Sequence, residues 1–191
     1  ANRKVQKLMN LMNMETVHVA WDFLKENGLK ALILKSKHKI QGIDDDYDYA
    51  EWWNLTKPSE EELEEQKKKK FDCMPKFSIV IPVYKTPEKF LKEMLDSIVE
   101  QTYANWELCI ADGSPAGESV ETVLKKYAEK DARIRYQVLG ENRGISGNTN
   151  AALEMAEGDF IVLADHDDRL TPNALFECAK KLNENENCDV L

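Results

Sequence analysis

The tripeptide Asp165-His166-Asp167 is the sharpest chemical feature of this sequence, and it directly follows the largely apolar segment 159–164. Carboxylates at positions i and i+2 of an extended segment point the same way, so Asp165 and Asp167 can share one divalent cation. Mg²⁺ and Mn²⁺ prefer such oxygen ligands, and the cation keeps positions open for two phosphate oxygens. The pattern predicts a metal site for a diphosphate. The alternative is a capping or turn cluster in front of a helix capped by Thr171.

A second polar group is Asp112-Gly113-Ser114, which closes another apolar segment. The Asp112 carboxylate can accept a hydrogen bond from the N–H of a nucleobase. The alternative is an ordinary turn between a strand and a helix, where Asp and Gly are common. The residues alone leave both interpretations open.

A third group, Asn142-Arg143-Gly144 followed by Gly147, precedes a predicted helix. The two glycines allow close approach of the backbone, and a helix N-terminus favours a diphosphate. The spacing matches neither the dinucleotide-binding fingerprint nor the Walker pattern. A glycine-rich turn with Ser146 as the helix N-cap explains the same residues equally well.

The elements that must position these groups alternate between strands and helices from Lys76 onward. This alternation predicts an α/β fold with a mostly parallel sheet and helices on both faces. Ligands of such sheets bind at the carboxyl ends of the strands, where all three polar groups fall. The predicted strands are 77–84, 106–111, 133–139, 159–164 and the start of a fifth at 189–191; the predicted helices are 87–101, 118–130, 145–157 and one that Thr171-Pro172 begins.

The first part of the chain carries no chemical motif. Apolar residues at helical spacing predict a helical extension over residues 1–40. Residues 41–75 are predicted to form an acidic connector followed by a charged helix at 58–70, and residues 76–191 form the α/β domain.

Charge limits the classes of partner. The formal net charge is −9, and residues 76–191 carry most of it, with 13 Lys+Arg against 21 Asp+Glu. Such a domain repels a nucleic-acid backbone, so no nucleic-acid binding is expected. It also repels a diphosphate unless a bound cation bridges the like charges.

Location follows from hydropathy and cysteine spacing. No apolar run approaches the ~20 residues of a membrane helix, and no export signal is visible, so no transmembrane segment is expected. The four cysteines are widely spaced, as is typical of free thiols in a reducing compartment. We expect a cytoplasmic protein, either free or peripheral at the inner face of the cell membrane.

Six sequence blocks, taken in order, resemble the family 2 glycosyltransferases, which have the GT-A fold. The last block is similar to that of bacterial enzymes that build surface polysaccharides or rhamnose-containing chains. The resemblance runs from about Pro75 to Leu191. The blocks are Phe77–Tyr84, Ser97–Tyr103, Trp106–Ser114, Asn142–Asn150, Ala156–Ile161 and Leu163–Asp168.

The resemblance implies a nucleoside-diphosphate-sugar site of the UDP or dTDP type. At the nucleobase end, Pro82, Val83 and Tyr84 would border the base. Asp112 would bind the imide of uracil or thymine. Ala111 departs from the family, which often has Asp there.

At the diphosphate end, the resemblance implies that Asn142, Arg143 and Gly144 lie near the ribose and diphosphate. Asp165 would contact the ribose or the metal, and Asp167 would bind Mn²⁺ or Mg²⁺ directly. Thr149 is the second departure, because many members of the family have Arg at that place.

The reaction implied is inverting transfer to a hydroxyl group of a glycan or lipid-linked glycan, in cell-surface polysaccharide synthesis. The metal acts as a Lewis acid on the leaving diphosphate, and a carboxylate base takes the acceptor proton. In the family that base lies after the metal motif, so we expect it beyond Leu191. We therefore expect the donor- and metal-binding half, weak or absent transfer by this chain alone, and self-association through an exposed apolar edge.

Two other classes are compatible with the fold. A nucleotidyltransferase is one, although the glycine- and basic-rich first loop of that class is missing after Ile81. A non-catalytic interaction module is the other. The three classes differ in what they bind. A glycosyltransferase binds a sugar nucleotide with manganese, a nucleotidyltransferase binds a nucleoside triphosphate, and an interaction module binds neither.

Overall fold

The computed structural model describes residues 21, 53–54, 56–185 and 188–191. The chain divides into two compact units, Ala1–Ser59 and Glu60–Leu191. Most of the predicted helical extension and the acidic stretch of the connector lie outside the described residues. The predicted domain boundaries at residues 40 and 75 therefore stay predictions.

The second unit alternates strands and helices as the sequence predicts. Four strands form one parallel sheet in the order β3-β2-β1-β4. The predicted α/β fold with a parallel sheet is confirmed. The elements are α1 (Glu60–Lys68), β1 (Phe77–Val83), α2 (Glu88–Val99), β2 (Trp106–Asp112), α3 (Glu121–Ala128), β3 (Ile134–Val138), α4 (Gly144–Leu153), β4 (Phe160–Leu163) and α5 (Ala174–Glu184).

Strand β1 is buried on both faces. Phe77, Ile79, Ile81 and Val83 belong to a large core that α2, α3 and α5 cover. Val80 points the other way, into a smaller core that includes alanines of β2 and α4. Burial on both faces explains why β1 reads as an almost continuous apolar run.

Helix α1 is shorter than the charged helix predicted at 58–70, and it has no buried residue. Its Gln66 Oε1 accepts a hydrogen bond from Thr102 Oγ1 at 2.9 Å. Among the described residues, no helix has the length and apolar character needed to cross a membrane.

The starts of two helices differ from the prediction. Helix α4 begins at Gly144 with Arg143 at the N-cap, so Ser146 lies inside the helix and does not cap it. Helix α5 begins at Ala174 with Asn173 at the N-cap. Thr171 lies before this helix. Its carbonyl oxygen accepts a hydrogen bond from Gln101 Nε2 at 2.7 Å, which holds Thr171 in the turn that precedes the helix.

The strand predicted to start at Asp189 is absent, since residues 188–191 pair with no strand among the described residues. A strand forms only where a neighbouring strand supplies hydrogen bonds. Strand β4 is an edge of the sheet, and its Ile161 and Leu163 are 44% and 70% exposed. Self-association through this edge stays a prediction.

A buried carboxylate ties together the N-terminal end of the sheet. Glu107, the second residue of β2, is 4% exposed. It accepts a bond from Ser78 Oγ at 2.6 Å and pairs with Lys76 at 2.6 Å and Arg135 at 2.8 Å. The backbone N–H of Glu157 also donates to it, at 2.5 Å. Glu107 thereby links β1, β3 and the segment that enters β4.

The Glu107 carboxylate should make the stability of the fold sensitive to acid. Burial raises the pKa of Glu107, but its bonds to Lys76, Ser78 and the Glu157 N–H and the Arg135 charge outweigh burial and lower it from 4.5 to about 2. Ionised Glu107 therefore stabilises the fold at pH values above the pKa of the unfolded state. This stabilisation is lost as the pH falls toward 2. We expect Glu107 to account for a loss of about 3 kcal/mol in the free energy of unfolding, measured in urea, between pH 5 and pH 2.

Glu107→Gln is the matched variant for this measurement. Its free energy of unfolding should be lower than that of wild type at pH 7. The difference between the two free energies should become smaller as the pH falls below 5. A gap that stays constant from pH 7 to pH 3 would show that the acid sensitivity arises elsewhere.

Candidate functional site

A pocket of about 270 Å³ lies at the carboxyl ends of β1 and β4, against the first turns of α4. Its wall is mixed: five of the eight lining residues are apolar, and Thr149 and two carboxylates supply polar side chains. Pro82 and Asp165, two of the predicted site residues, meet here. The lining residues are Val80, Pro82, Ile145, Thr149, Leu163, Ala164, Asp165 and Asp168.

The Asp165–Asp168 segment is a turn. Strand β4 ends at Leu163, and the Asp168 N–H donates to the Asp165 carbonyl at 3.3 Å. The prediction that Asp165 and Asp167 lie in an extended segment is therefore wrong, because the chain reverses as soon as pairing with β1 ends.

The turn changes which carboxylates are neighbours. Residues i and i+3 of a turn lie close together, and Asp165 and Asp168 both line the pocket. Asp167 is not among the lining residues, and its side chain is 60% exposed. Sequence reasoning missed Asp168; the signal available was the preference of Asp for turns.

The acidic turn has the right donors for a hard cation. No group of three or more His, Cys, Asp or Glu side chains in the described part of the chain is arranged as a metal cage. Mg²⁺ commonly binds through one or two carboxylates and completes its shell with water and substrate phosphates. Asp165 with one further carboxylate of the turn therefore fits a cation that a diphosphate would help to hold.

Asp112 is completely buried and holds the loop between β2 and α3. Its Oδ1 accepts from the Ser114 N–H at 2.9 Å. Its Oδ2 accepts from Ser119 Oγ at 2.7 Å and from the Val120 N–H at 3.2 Å. A carboxylate has about four acceptor positions, so one remains on Oδ1. The predicted bond to a nucleobase requires access to that buried atom.

The three residues at the end of β1, Pro82, Val83 and Tyr84, differ in how far their side chains are exposed. Pro82 lines the pocket, whereas the Val83 side chain is fully buried and the Val83 carbonyl accepts the Gly113 N–H at 2.9 Å. Tyr84 is 40% exposed. Of the three residues predicted to border a base, only Tyr84 offers an exposed aromatic ring.

The segment Asn142-Arg143-Gly144 is fastened to the helix that follows. Asn142 Oδ1 accepts the Gly144 N–H at 2.9 Å and Asn148 Nδ2 at 3.1 Å, and Asn148 Oδ1 accepts the Arg143 N–H at 3.1 Å. Gly144 has φ +72°, a conformation that favours glycine. The three residues do not line the pocket, but they begin the helix whose Ile145 and Thr149 do.

Asn148 also joins the two loops. A Cβ at Gly113 would lie 2.5 Å from Asn148 Nδ2 and 2.8 Å from its Oδ1. Any larger residue at Gly113 therefore collides with a side chain that is itself 3% exposed and hydrogen-bonded. The loop after β2 and the loop before α4 are held together at this contact.

Comparison with known families decides the assignment. The model of glycosyl transferase family 2 matches residues 78–191, which include the whole sheet except its first residue, Phe77. The chain belongs to glycosyl transferase family 2. The parallel sheet and flanking helices are those of its GT-A fold.

Relatives of this family 2 member are mostly much longer. Over 101 residues it is 45% identical to the uncharacterized protein y4gI of Sinorhizobium fredii, covering 53% of this chain and 11% of that protein. Over 117 residues it is 33% identical to an uncharacterized glycosyltransferase of Methanocaldococcus jannaschii, covering 61% and 40%. The chain thus spans less than half of either relative.

A solved structure also resembles this family 2 chain. It is residues 1–349 of TarS from S. aureus, in complex with UDP-GlcNAc; TarS is a poly(ribitol-phosphate) beta-N-acetylglucosaminyltransferase. The TM-score is 0.53 at 29% identity, covering 58% of this chain and 32% of that one.

The Gly113–Asn148 contact yields a stability prediction. Gly113→Ala should lower the free energy of unfolding by about 1–3 kcal/mol, because the methyl group collides with Asn148. Asn148→Ala should lower the free energy of unfolding by a similar amount, because the buried Asn148 side chain loses its hydrogen bonds. In the double variant the methyl group enters the space that Asn148 leaves.

Urea unfolding of the four proteins tests this coupling. We expect Gly113→Ala to cost clearly less in the Asn148→Ala background than in wild type. Strictly additive losses would mean that the two positions do not share this contact.

Proposed function

We propose that this chain provides the donor-binding part of a metal-dependent glycosyltransferase. The donor is a nucleoside-diphosphate sugar of the UDP or dTDP type. The observation that carries the proposal is the pocket with Asp165 at the carboxyl edge of a family 2 sheet. The likeness to a TarS structure that contains UDP-GlcNAc supports a sugar nucleotide.

In this proposal Asp165 and Asp167 hold Mn²⁺ or Mg²⁺. The bound cation would supply Lewis-acid stabilisation of the charge on the leaving diphosphate. The acidic balance of residues 76–191 supports it, because both charged side chains that line the pocket, Asp165 and Asp168, would repel a diphosphate without a bridging cation.

The nucleoside end is assigned to the loops after β1 and β2. Tyr84 offers the stacking surface for the base, beside Pro82 and the backbone of Val83. Asp112 reads the imide through its remaining acceptor position on Oδ1.

The ribose and diphosphate are assigned to Asn142, Arg143 and Gly144. The positive end of the α4 helix dipole favours a negative ligand, while the Arg143 and Gly144 N–H groups themselves donate to Asn148 and Asn142. Asn148 and Asn142 hold this segment in place before any ligand binds.

The acceptor side is proposed from the family. We infer inverting transfer to a hydroxyl group of a glycan or lipid-linked glycan, at the cytoplasmic face of the membrane. TarS is named as a transferase of N-acetylglucosamine to poly(ribitol-phosphate), which supports a polymer as the acceptor.

Titration calorimetry tests the donor site. We expect wild type to bind UDP or dTDP with Mn²⁺ and to bind about tenfold or more weakly without it. Asp167→Ala should abolish the metal-dependent part, because it removes a direct ligand of the cation.

Asp168→Ala is the matched substitution in the same turn. Because Asp168 lines the pocket with Asp165, this variant tests the competing assignment, and with Asp167 as the ligand it should weaken binding much less than Asp167→Ala. The reverse order would move the second metal ligand from Asp167 to Asp168. Preference for a nucleoside triphosphate would indicate a nucleotidyltransferase. Binding of no nucleotide under any condition would reject the donor site.

A further inference from the structure

Lys85, directly after Tyr84, has an unusual backbone conformation. Its φ is +50°, and among the described residues it is the one non-glycine residue with positive φ. Its N–H donates to Ser114 Oγ at 2.8 Å, which holds the conformation. Lysine has no intrinsic preference for this region, unlike glycine or asparagine. Such outliers concentrate at functional sites, where the surrounding structure enforces them.

The Lys85 side chain makes two contacts at the carboxyl edge of the sheet. Its Nζ lies 3.1 Å from Glu118 Oε2 and 5.6 Å from the centroid of the Tyr84 ring. The Lys85 and Glu118 side chains are 42% and 53% exposed. Ion pairs this exposed contribute little to stability, so stability alone does not explain a strained lysine here.

The Glu118 carboxylate is presented by an ordered turn. The Glu118 N–H donates to the Pro115 carbonyl at 3.0 Å, and Gly117 has φ +88°. Positive φ at the third residue is what a type II turn requires. Asp112 binds Ser114 on one side of this turn and Ser119 on the other. A buried group of β2 thus fixes where Glu118 stands.

We propose that Lys85 and Glu118 are a positioning pair for the nucleoside end of the donor. The pair fastens the loop after β1 to the loop after β2 and holds the Tyr84 ring ready to stack on a base. A ring fixed in advance loses less conformational entropy on binding, and stacking on aromatic rings accepts any base. This inference rests on the proposed function.

Lys85→Asn separates positioning from folding. Asparagine tolerates positive φ, so the melting temperature should stay at the wild-type value or rise by up to about 3 °C. The dissociation constant for the bound nucleotide, UDP or dTDP with Mn²⁺, should rise about fivefold, as expected for one exposed ion pair and one cation–ring contact. Lys85→Arg keeps the cation and should restore most of the affinity. If Lys85 served only the fold, its replacement by Asn would lower the nucleotide affinity and the melting temperature together.

Two more variants identify the pair. Glu118→Gln should weaken binding by a similar factor, and the double variant with Lys85→Asn should be no weaker than either single one. Lys89→Asn is the matched control, since Lys89 contacts the Phe90 ring at 5.8 Å and Glu93 at 4.0 Å on helix α2. It should leave affinity unchanged.

The outcomes are distinguishable. If wild type binds neither UDP nor dTDP with Mn²⁺, the donor site is wrong and this inference falls with it. If wild type binds and Lys85→Asn and Glu118→Gln bind equally well, the positioning pair is wrong and the donor site stands. Multiplying losses in the double variant would also overturn the pair.

Discussion

The pairing of β1 with β2 on one side and β4 on the other is the constraint on which the site depends. Because the three strands are parallel, their carboxyl ends meet at one edge, and every loop that leaves them starts within reach of the others. Burial of β1 on both faces makes this arrangement hard to change without unfolding the core.

Polar side chains with internal partners then organise that edge. Asp112 and Asn148 are buried, and most of their hydrogen-bonding capacity goes to backbone and side-chain atoms of neighbouring loops. The side chains that the proposed donor site uses at this edge, Tyr84, Asp165 and Asp167, are more exposed than these two. A site built this way is ordered before it binds anything, which lowers the entropy cost of binding.

Charge explains why a cation belongs in the proposal. The α/β unit is strongly acidic, and two carboxylates line its pocket. A diphosphate gains little in such a field unless a divalent ion bridges the two sets of oxygens. At the other end of the sheet, the Glu107 carboxylate meets Lys76 and Arg135 instead, and there a buried carboxylate stabilises the fold.

The sequence alone determined the fold class, the order of the elements and the edge where the site lies, because apolar periodicity and strand–helix alternation are local patterns. It also singled out Asp165 and Pro82, which meet in the pocket. Only tertiary structure decided that residues 165–168 form a turn, that Asp112 is buried, and that Lys85 meets Glu118. Those outcomes depend on where strand pairing stops and on contacts between distant loops. The preference of Asp for turns left a turn at residues 165–168 open as an alternative but could not decide it.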